Sequence, residues 1–169
     1  MTESEIKSAF AHHKDAIYRF AWRMTASPDK ALDITQDVFL TLLRAPNRFD
    51  PLRGQLRSFL LGIARNLALT RLTQEARWAA LEDDESAVAP IEPGEAREMV
   101  ARAIAALPPL QREVLILAQY EELSLEEIAT AVHAEVGTVK SRLFRARENL
   151  RRMLAPLKQS RSISCGTAK

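Results

Sequence analysis

Residues 124–154 carry two helical patterns of unequal length, separated by a break too short for anything but a tight turn. Leu125, Ile128, Ala129 and Val132 fall on one face at spacings of three and four, predicting a helix of about two turns over 125–132. Ser124, with Glu127 three residues on, forms a capping box at its start, in which each side chain satisfies an orphan amide of the first turn. His133 to Val136 forms the break, and His133 takes the turn position that glycine commonly holds. A second helix is expected from Gly137 or Thr138 to Leu154. Val139, Leu143, Ala146, Leu150 and Met153 or Leu154 point inward. The opposite side carries Lys140, Ser141, Phe144, Arg145 and Glu148, flanked by Arg142, Arg147, Arg151 and Arg152. A short capped helix, a tight turn and a longer basic helix make a helix-turn-helix. Residues near the start of the second helix can reach base edges, and the later arginines suit phosphates.

The same periodicity predicts helices along the rest of the chain. Thr2 and Glu5 form another capping box for a helix reaching Met24, with Ile17, Phe20, Ala21 and Met24 inward. Ser27 and Pro28 are a cap and first helical residue for a helix to about Ala45, with Ala31, Ile34, Val38, Leu42 and Ala45 as its core line. On another side of it run Asp33, Gln36, Asp37, Leu40 and Arg44. This reads either as a partner surface with a small apolar centre or as a solvated face with Leu40 tucked inward. Prolines, an asparagine and a glycine break the periodicity over 45–55. A basic helix is then expected over 56–81, with Leu56, Leu60, Ile63 and Leu67 inward.

Residues 82–95 begin acidic and hold two prolines, so a flexible tether is expected there. A helix over 95–106 leads into Leu107-Pro108-Pro109, where the prolines start a helix through Ala118. The polar tail 159–169 is expected to be disordered. The fold class is therefore all-α: two small helical domains, residues 1–81 and 96–158, joined by an acidic linker, the second a four-helix domain with a helix-turn-helix.

Composition narrows the function. The chain of 169 residues is 47% apolar and 27% charged, as a globular protein is, and its formal net charge of +2 is too small to mark a generic nucleic-acid binder. The distribution matters more, because basic residues concentrate after Gly137 and acidic ones at Glu82 to Glu85. One cysteine, Cys165, excludes an internal disulfide framework and fits a reducing compartment. With no apolar run of membrane-spanning length and no signal-peptide pattern at the N-terminus, a cytoplasmic location is expected. There is no glycine-rich phosphate loop, no metal-ligand spacing and no nucleophile with a local base signature, so no catalytic residue, metal or cofactor is assigned. His12 and His13 are adjacent on a helix and point in different directions, and His133 stands alone, so neither predicts a metal site. Cys165 reads as an idle tail thiol.

The run LSLEEIATAVHAEVGTVKSRLFRAREN resembles region 4 of bacterial sigma factors, specifically the small extracytoplasmic-function group. ALDITQDVFLTLLR is similar to the region 2.2 helix, with Asp33, Gln36 and Phe39 on its D-x-x-Q-x-x-F pattern, and LRSFLLGIARNLALTRL is similar to the region 2.3–2.4 helix. The resemblance implies a promoter-recognition subunit with no catalysis of its own. Asp33, Gln36, Asp37 and Leu40 would meet the clamp helices of RNA polymerase core, with Phe39 packing inward. Thr138, Lys140, Ser141, Arg142, Phe144, Arg145 and Arg147 would read the minus-35 element in the major groove while the same domain touches the polymerase flap. The loop 47–55, with Asn47 and Arg53, would wall a pocket for a flipped base of the minus-10 element, with Asn66 on the family's base-reading position and Arg65 beside it. Two departures affect that pocket: Phe59 stands where the family usually has tryptophan, and Arg44-Ala45-Pro46 bends the preceding helix end. Asn66 also fits a capping or interhelical hydrogen bond. The family implies control by an anti-sigma factor that wedges between or clasps the two domains. The competing reading is a stand-alone helix-turn-helix regulator binding operators as a dimer.

Overall fold

The computed structural model describes residues 1–76 and 94–157, and these form seven α-helices and one 3₁₀ turn, with no strand among them. The helices are α1 (Glu3–Thr25), α2 (Pro28–Arg44), α3 (Leu56–Ala76), α4 (Ala96–Ala106), α5 (Pro109–Gln119), α6 (Leu125–Ala131) and α7 (Val136–Met153). The 3₁₀ turn is Pro46–Arg48. The expected all-helical fold is therefore observed. The linker 82–93, the end of the third helix beyond residue 76 and the tail with Cys165 lie outside the described residues.

The helix starts follow from side chains that satisfy orphan amides. The Thr2 hydroxyl accepts from the Glu5 amide at 3.2 Å, and the Thr2 amide donates to Glu5 Oε2 at 2.6 Å. That amide holds the Glu5 carboxyl below its ordinary pKa. Ser27 Oγ accepts from the Lys30 amide at 3.3 Å, with Pro28 in the first helical position. Between these helices Ala26 takes the left-handed conformation at φ 53° and Ser27 is extended, so α2 doubles back along α1 through two residues.

The expected inward faces of α1 and α2 are buried: Ile17, Phe20, Ala21 and Met24 against Ala31, Ile34, Val38 and Leu42, while Ala45 caps α2 half-buried. Helix α3 departs from expectation. Of Leu56, Leu60, Ile63 and Leu67, only Leu60 is fully buried; the buried line is Leu60, Leu61, Ala64, Ala68 and Leu69, with the other three packed against its margin. The reason is that α3 is covered on two sides, by α1 and α2 and by α5 and α6, so a single 3.6-residue stripe under-describes it.

Helix α5 lies at the centre. Its seven consecutive residues Gln111, Arg112, Glu113, Val114, Leu115, Ile116 and Leu117 are all buried, and the apolar ones belong to one hydrophobic cluster that also takes in α1, α2, α3, α6 and α7. Three polar side chains therefore entered the interior and each needs partners. Gln111 Oε1 accepts from Asn149 Nδ2 on α7 at 2.7 Å. The Arg112 guanidinium donates to the carbonyls of Met24, of Ala105 at 2.6 Å and of Leu107 at 2.8 Å. Met24 and Ala105 lie in the last turns of α1 and α4, whose carbonyls have no partner within their helices, so one side chain closes two helix ends. Burial lowers the Arg112 pKa to about 10, which leaves it charged at neutral pH.

Replacing Arg112 by methionine keeps much of the volume but strips three carbonyls of a charged donor. The expected loss is at least about 3 kcal/mol of unfolding free energy, at about 1 kcal/mol or more for each acceptor left unsatisfied. Urea denaturation followed by circular dichroism measures it, and a loss below about 1 kcal/mol would mean other donors replace the guanidinium.

Candidate nucleic-acid and partner surfaces

The helix-turn-helix is built by local bonds. Ser124 Oγ accepts from the Glu127 amide at 3.1 Å, and the Ser124 amide donates to Glu127 Oε2 at 2.8 Å, closing the expected capping box. At the other end of α6 the Ala134 amide bonds Ala129 O at 3.0 Å and the His133 amide bonds Thr130 O at 3.4 Å, with His133 at φ 54°. That is a Schellman closure whose left-handed residue is usually glycine, as the turn position of His133 in the sequence suggests. Helix α7 begins at Val136, slightly earlier than expected.

On α7, Val139, Leu143, Ala146 and Met153 are buried, so the opposite face is turned out. Lys140, Ser141 and Arg147 are exposed, Phe144 is 65% exposed, and Thr138 and Arg145 are half-buried. A phenylalanine standing in solvent among cations has the shape of a contact for a nucleic-acid partner. Arg142 is placed differently. It is half-buried with its Nε closed off from solvent, and its charge is among those that pull the Glu113 carboxyl back against the upward push of burial.

On α2, Asp33, Gln36 and Leu40 are exposed and Asp37 is half-buried, while Phe39 packs inward with its ring edge-on to Phe10 at 5.0 Å. Leu32 and Leu43, each about half exposed, extend the stripe of Gln36 and Leu40 at helical spacing. Neither leucine was singled out from the sequence, although counting back and forward from Leu40 would have found both. The carboxylates are positioned by Arg71 of α3, whose Nη2 lies 2.6 Å from Asp37 Oδ2 and whose Nη1 lies 3.8 Å from Asp33 Oδ2.

The loop before α3 is ordered by Asp50. Its Oδ1 accepts from the Leu52 amide and its carbonyl from the Arg53 amide, both at 3.0 Å. Asn47 and Arg53 are exposed on it. Phe49 packs against Phe59 with ring centroids 5.5 Å apart, so the ring at position 59 supports the loop. Phe49 and Pro51 wall a concavity of about 460 Å³ whose other lining includes Ser8, His12 and Leu56. Arg65 and Asn66 do not line it; they sit nine and ten residues past Leu56, about 15 Å along the helix. The four residues expected at the minus-10 element are thus divided between the loop and the middle of α3.

Arg65 has a partner that the sequence reading did not anticipate. Its Nε donates to Glu113 Oε2 at 2.6 Å and its Nη2 to Glu113 Oε1 at 3.0 Å, a two-pronged pair, while Nη1 donates to Asn66 Oδ1 at 3.1 Å. The Glu113 side chain is 0% exposed and that of Arg65 13%. Burial pushes the Glu113 carboxyl above its ordinary pKa, with Arg65 and Arg142 pulling it back. Two further contacts join the same helices' neighbourhoods: Arg57 to the buried Glu121 at 2.6 Å, and the Arg23 guanidinium 3.9 Å over the ring of Tyr120.

Comparison with known proteins accords with this geometry. The model for sigma-70 region 2 matches residues 9–78, and that for sigma-70 region 4 matches residues 97–150. The chain is 31% identical over 165 residues to the ECF RNA polymerase sigma factor SigW of Bacillus subtilis, covering 86% of each. It is 33% identical to the RNA polymerase sigma-H factor of Pseudomonas aeruginosa over 154 residues, 80% of this chain and 78% of that one. Against the ECF sigma factor SigE of Mycolicibacterium smegmatis it is 31% identical over 85% of its own length but spans 59% of that protein. Among solved structures, the sigma factor RpoE in complex with the anti-sigma factor NepR from Bartonella quintana is similar at a TM-score of 0.71 and 27% identity, over 89% of this chain and 97% of that one. The fold is that of a sigma-70-type factor. Within that class, the chain belongs to the extracytoplasmic-function sigma factors of bacterial RNA polymerase.

The Arg65–Glu113 pair makes a direct energetic prediction. Arg65→Met leaves a buried carboxylate without its fork and is expected to cost about 3 kcal/mol or more in urea unfolding. Combining it with Glu113→Leu should recover most of that loss, because the pair is then replaced by apolar groups. Additive losses in the double variant would show that the two side chains do not act as a unit.

Proposed function

We propose that this chain acts without catalysis of its own, as a dissociable promoter-recognition subunit of RNA polymerase core in the cytoplasm. The observation that carries the reading is the outward face of α7, with Lys140, Ser141, Phe144, Arg145 and Arg147 presented after a capped short helix and a closed turn. In this reading α7 enters the major groove at the minus-35 element, Lys140, Ser141 and Phe144 near base edges and Arg147 at phosphates. The α2 stripe is the docking surface for polymerase: Leu32, Leu40 and Leu43 supply its apolar centre and Asp33, Gln36 and Asp37 its polar rim. Asn47, Arg53, Arg65 and Asn66 serve the minus-10 element, where an unstacked base needs donors for its edge and cations for its backbone. The division is residues 1–81 for polymerase and minus-10 contacts and 96–158 for the minus-35 contact, joined by 82–95. An anti-sigma protein is proposed as a regulatory partner, in line with the RpoE–NepR complex. A dimeric operator-binding regulator gives no use to the α2 stripe.

Two weak DNA grips on one chain gain affinity by effective concentration, which accounts for the modest net charge. Run-off transcription with purified core polymerase tests the assignment. Lys140→Ala or Arg145→Ala should reduce minus-35-dependent RNA synthesis about tenfold with polymerase binding unchanged, since one good base contact is worth about 1–3 kcal/mol. Equal loss of both would contradict the placement. The triple change Asp33→Ala, Gln36→Ala, Asp37→Ala should instead weaken polymerase affinity while leaving the circular dichroism spectrum intact. Replacing Asn66 should alter preference at one minus-10 base, read from a promoter library, and an unchanged preference would take Asn66 out of the site.

A further inference from the structure

The loop between α2 and α3 holds a large apolar side chain clear of the protein. Leu52 is 94% exposed, more than any other large apolar residue among those described. Exposed leucines are common at protein surfaces, and most need no explanation. This one is set apart by the bracing of its backbone. Its amide donates to Asp50 Oδ1 at 3.0 Å, and the next amide, that of Arg53, donates to the Asp50 carbonyl at 3.0 Å. Phe49 fixes the near side of the turn against Phe59 of α3. On the far side Gly54 takes φ 155°, and no atom beyond its chain neighbours lies within 4 Å of where its Cβ would be. The path of the chain, not crowding, therefore calls for glycine at that position. A loose loop would lose entropy when its tip was fixed by a partner, whereas this tip is already positioned.

We propose that Leu52 is a wedge that parts two stacked bases of the promoter duplex at the minus-10 element and passes the released base to the concavity beside it. The inference rests on the reading of the loop 47–55 as part of the minus-10 surface. An apolar side chain pushed between base steps leaves water for the base faces it separates, which offsets part of the stacking lost, and leucine is among the residues used in this way. The aromatic rings nearby are not free for the task, because Phe49 and Phe59 are half-buried against each other. Charge on the loop also suits a nucleic-acid strand. Arg53 follows Leu52 directly with its side chain 88% exposed, and Arg48 is exposed on the same loop. Asp50, the one acidic residue of the loop, is compensated locally: Oδ1 accepts from the Leu52 amide and Oδ2 lies 3.7 Å from Arg53 Nε. Pro51, the residue just before Leu52, walls the concavity of about 460 Å³, so a base displaced at Leu52 has a cleft one residue away.

A wedge is needed only while the duplex is closed, and that supplies the test. Leu52→Ala in the full-length protein removes a side chain that supports nothing else in the fold, so its circular dichroism spectrum should match that of the wild type. Run-off transcription with purified core polymerase then compares two templates that share one non-template strand. One is fully paired; in the other the template strand is mismatched across the minus-10 element, so the duplex is already open there. On the paired template Leu52→Ala should lose about tenfold in RNA, and on the opened template it should stay within about twofold of the wild type. Leu52→Met keeps an apolar wedge of similar volume and should stay within about twofold on both templates. Equal RNA from Leu52→Ala and wild type on the paired template would overturn the proposal. Equal loss on both templates would also overturn it, because Leu52 would then serve a contact unrelated to melting, as would a loss in Leu52→Met as deep as in Leu52→Ala. If the wild type directs no RNA from either template, the minus-10 reading itself fails and the wedge falls with it; an active wild type with an unaffected Leu52→Ala removes the wedge alone.

Discussion

The Glu113 carboxylate, fully enclosed and gripped by Arg65, is the constraint on which the arrangement of the helices turns. A charge taken out of water costs several kcal/mol unless the protein returns equivalent contacts, and it returns them only with good geometry. Helix α5 carries this charge in a stretch buried on every side, so any packing that encloses α5 must bring a cation to position 113. Arg142 can do so from within the same helical group, and Arg65 does so from α3. The fork therefore sets where α3 lies on α5 more than it adds net stability, because an apolar pair of the same volume would cost less to bury.

Apolar packing then makes that orientation consistent over the whole length of α3. Leu60, Leu61, Ala64 and Ala68 are closed off from solvent, while Gly62 brings α3 close to Ala131 of α6 and Arg57 reaches Glu121. Small side chains along α3 let helices approach on two sides without voids. Arg112 ties the seam from the other direction, since the end of α1 gets its carbonyl partner from a side chain of α5. Polar groups thus decide position, and the cluster of leucines, isoleucines and alanines supplies most of the driving force.

What the sequence revealed was what is written locally. Capping boxes at Thr2 and Ser124, the Ser27-Pro28 start and the left-handed His133 each involve residues within five positions of one another, and all are seen in the structure. Periodicity placed the inward faces of α1, α2 and α7 because each has one dry side. It misplaced the stripe of α3, which has two. The ion pairs were hidden for a different reason: Arg71 and Asp37 are 34 residues apart, Arg65 and Glu113 are 48, and Arg57 and Glu121 are 64. No spacing rule connects positions that meet only after folding. The candidate DNA residues on α7 were legible as one outward face. Arg142 was not separable from them, since the enclosure of its Nε arises only when the helices pack. For the residues proposed at the minus-10 element, the division between the loop and the middle of α3 was not legible, because it depends on how the loop folds back before Leu56.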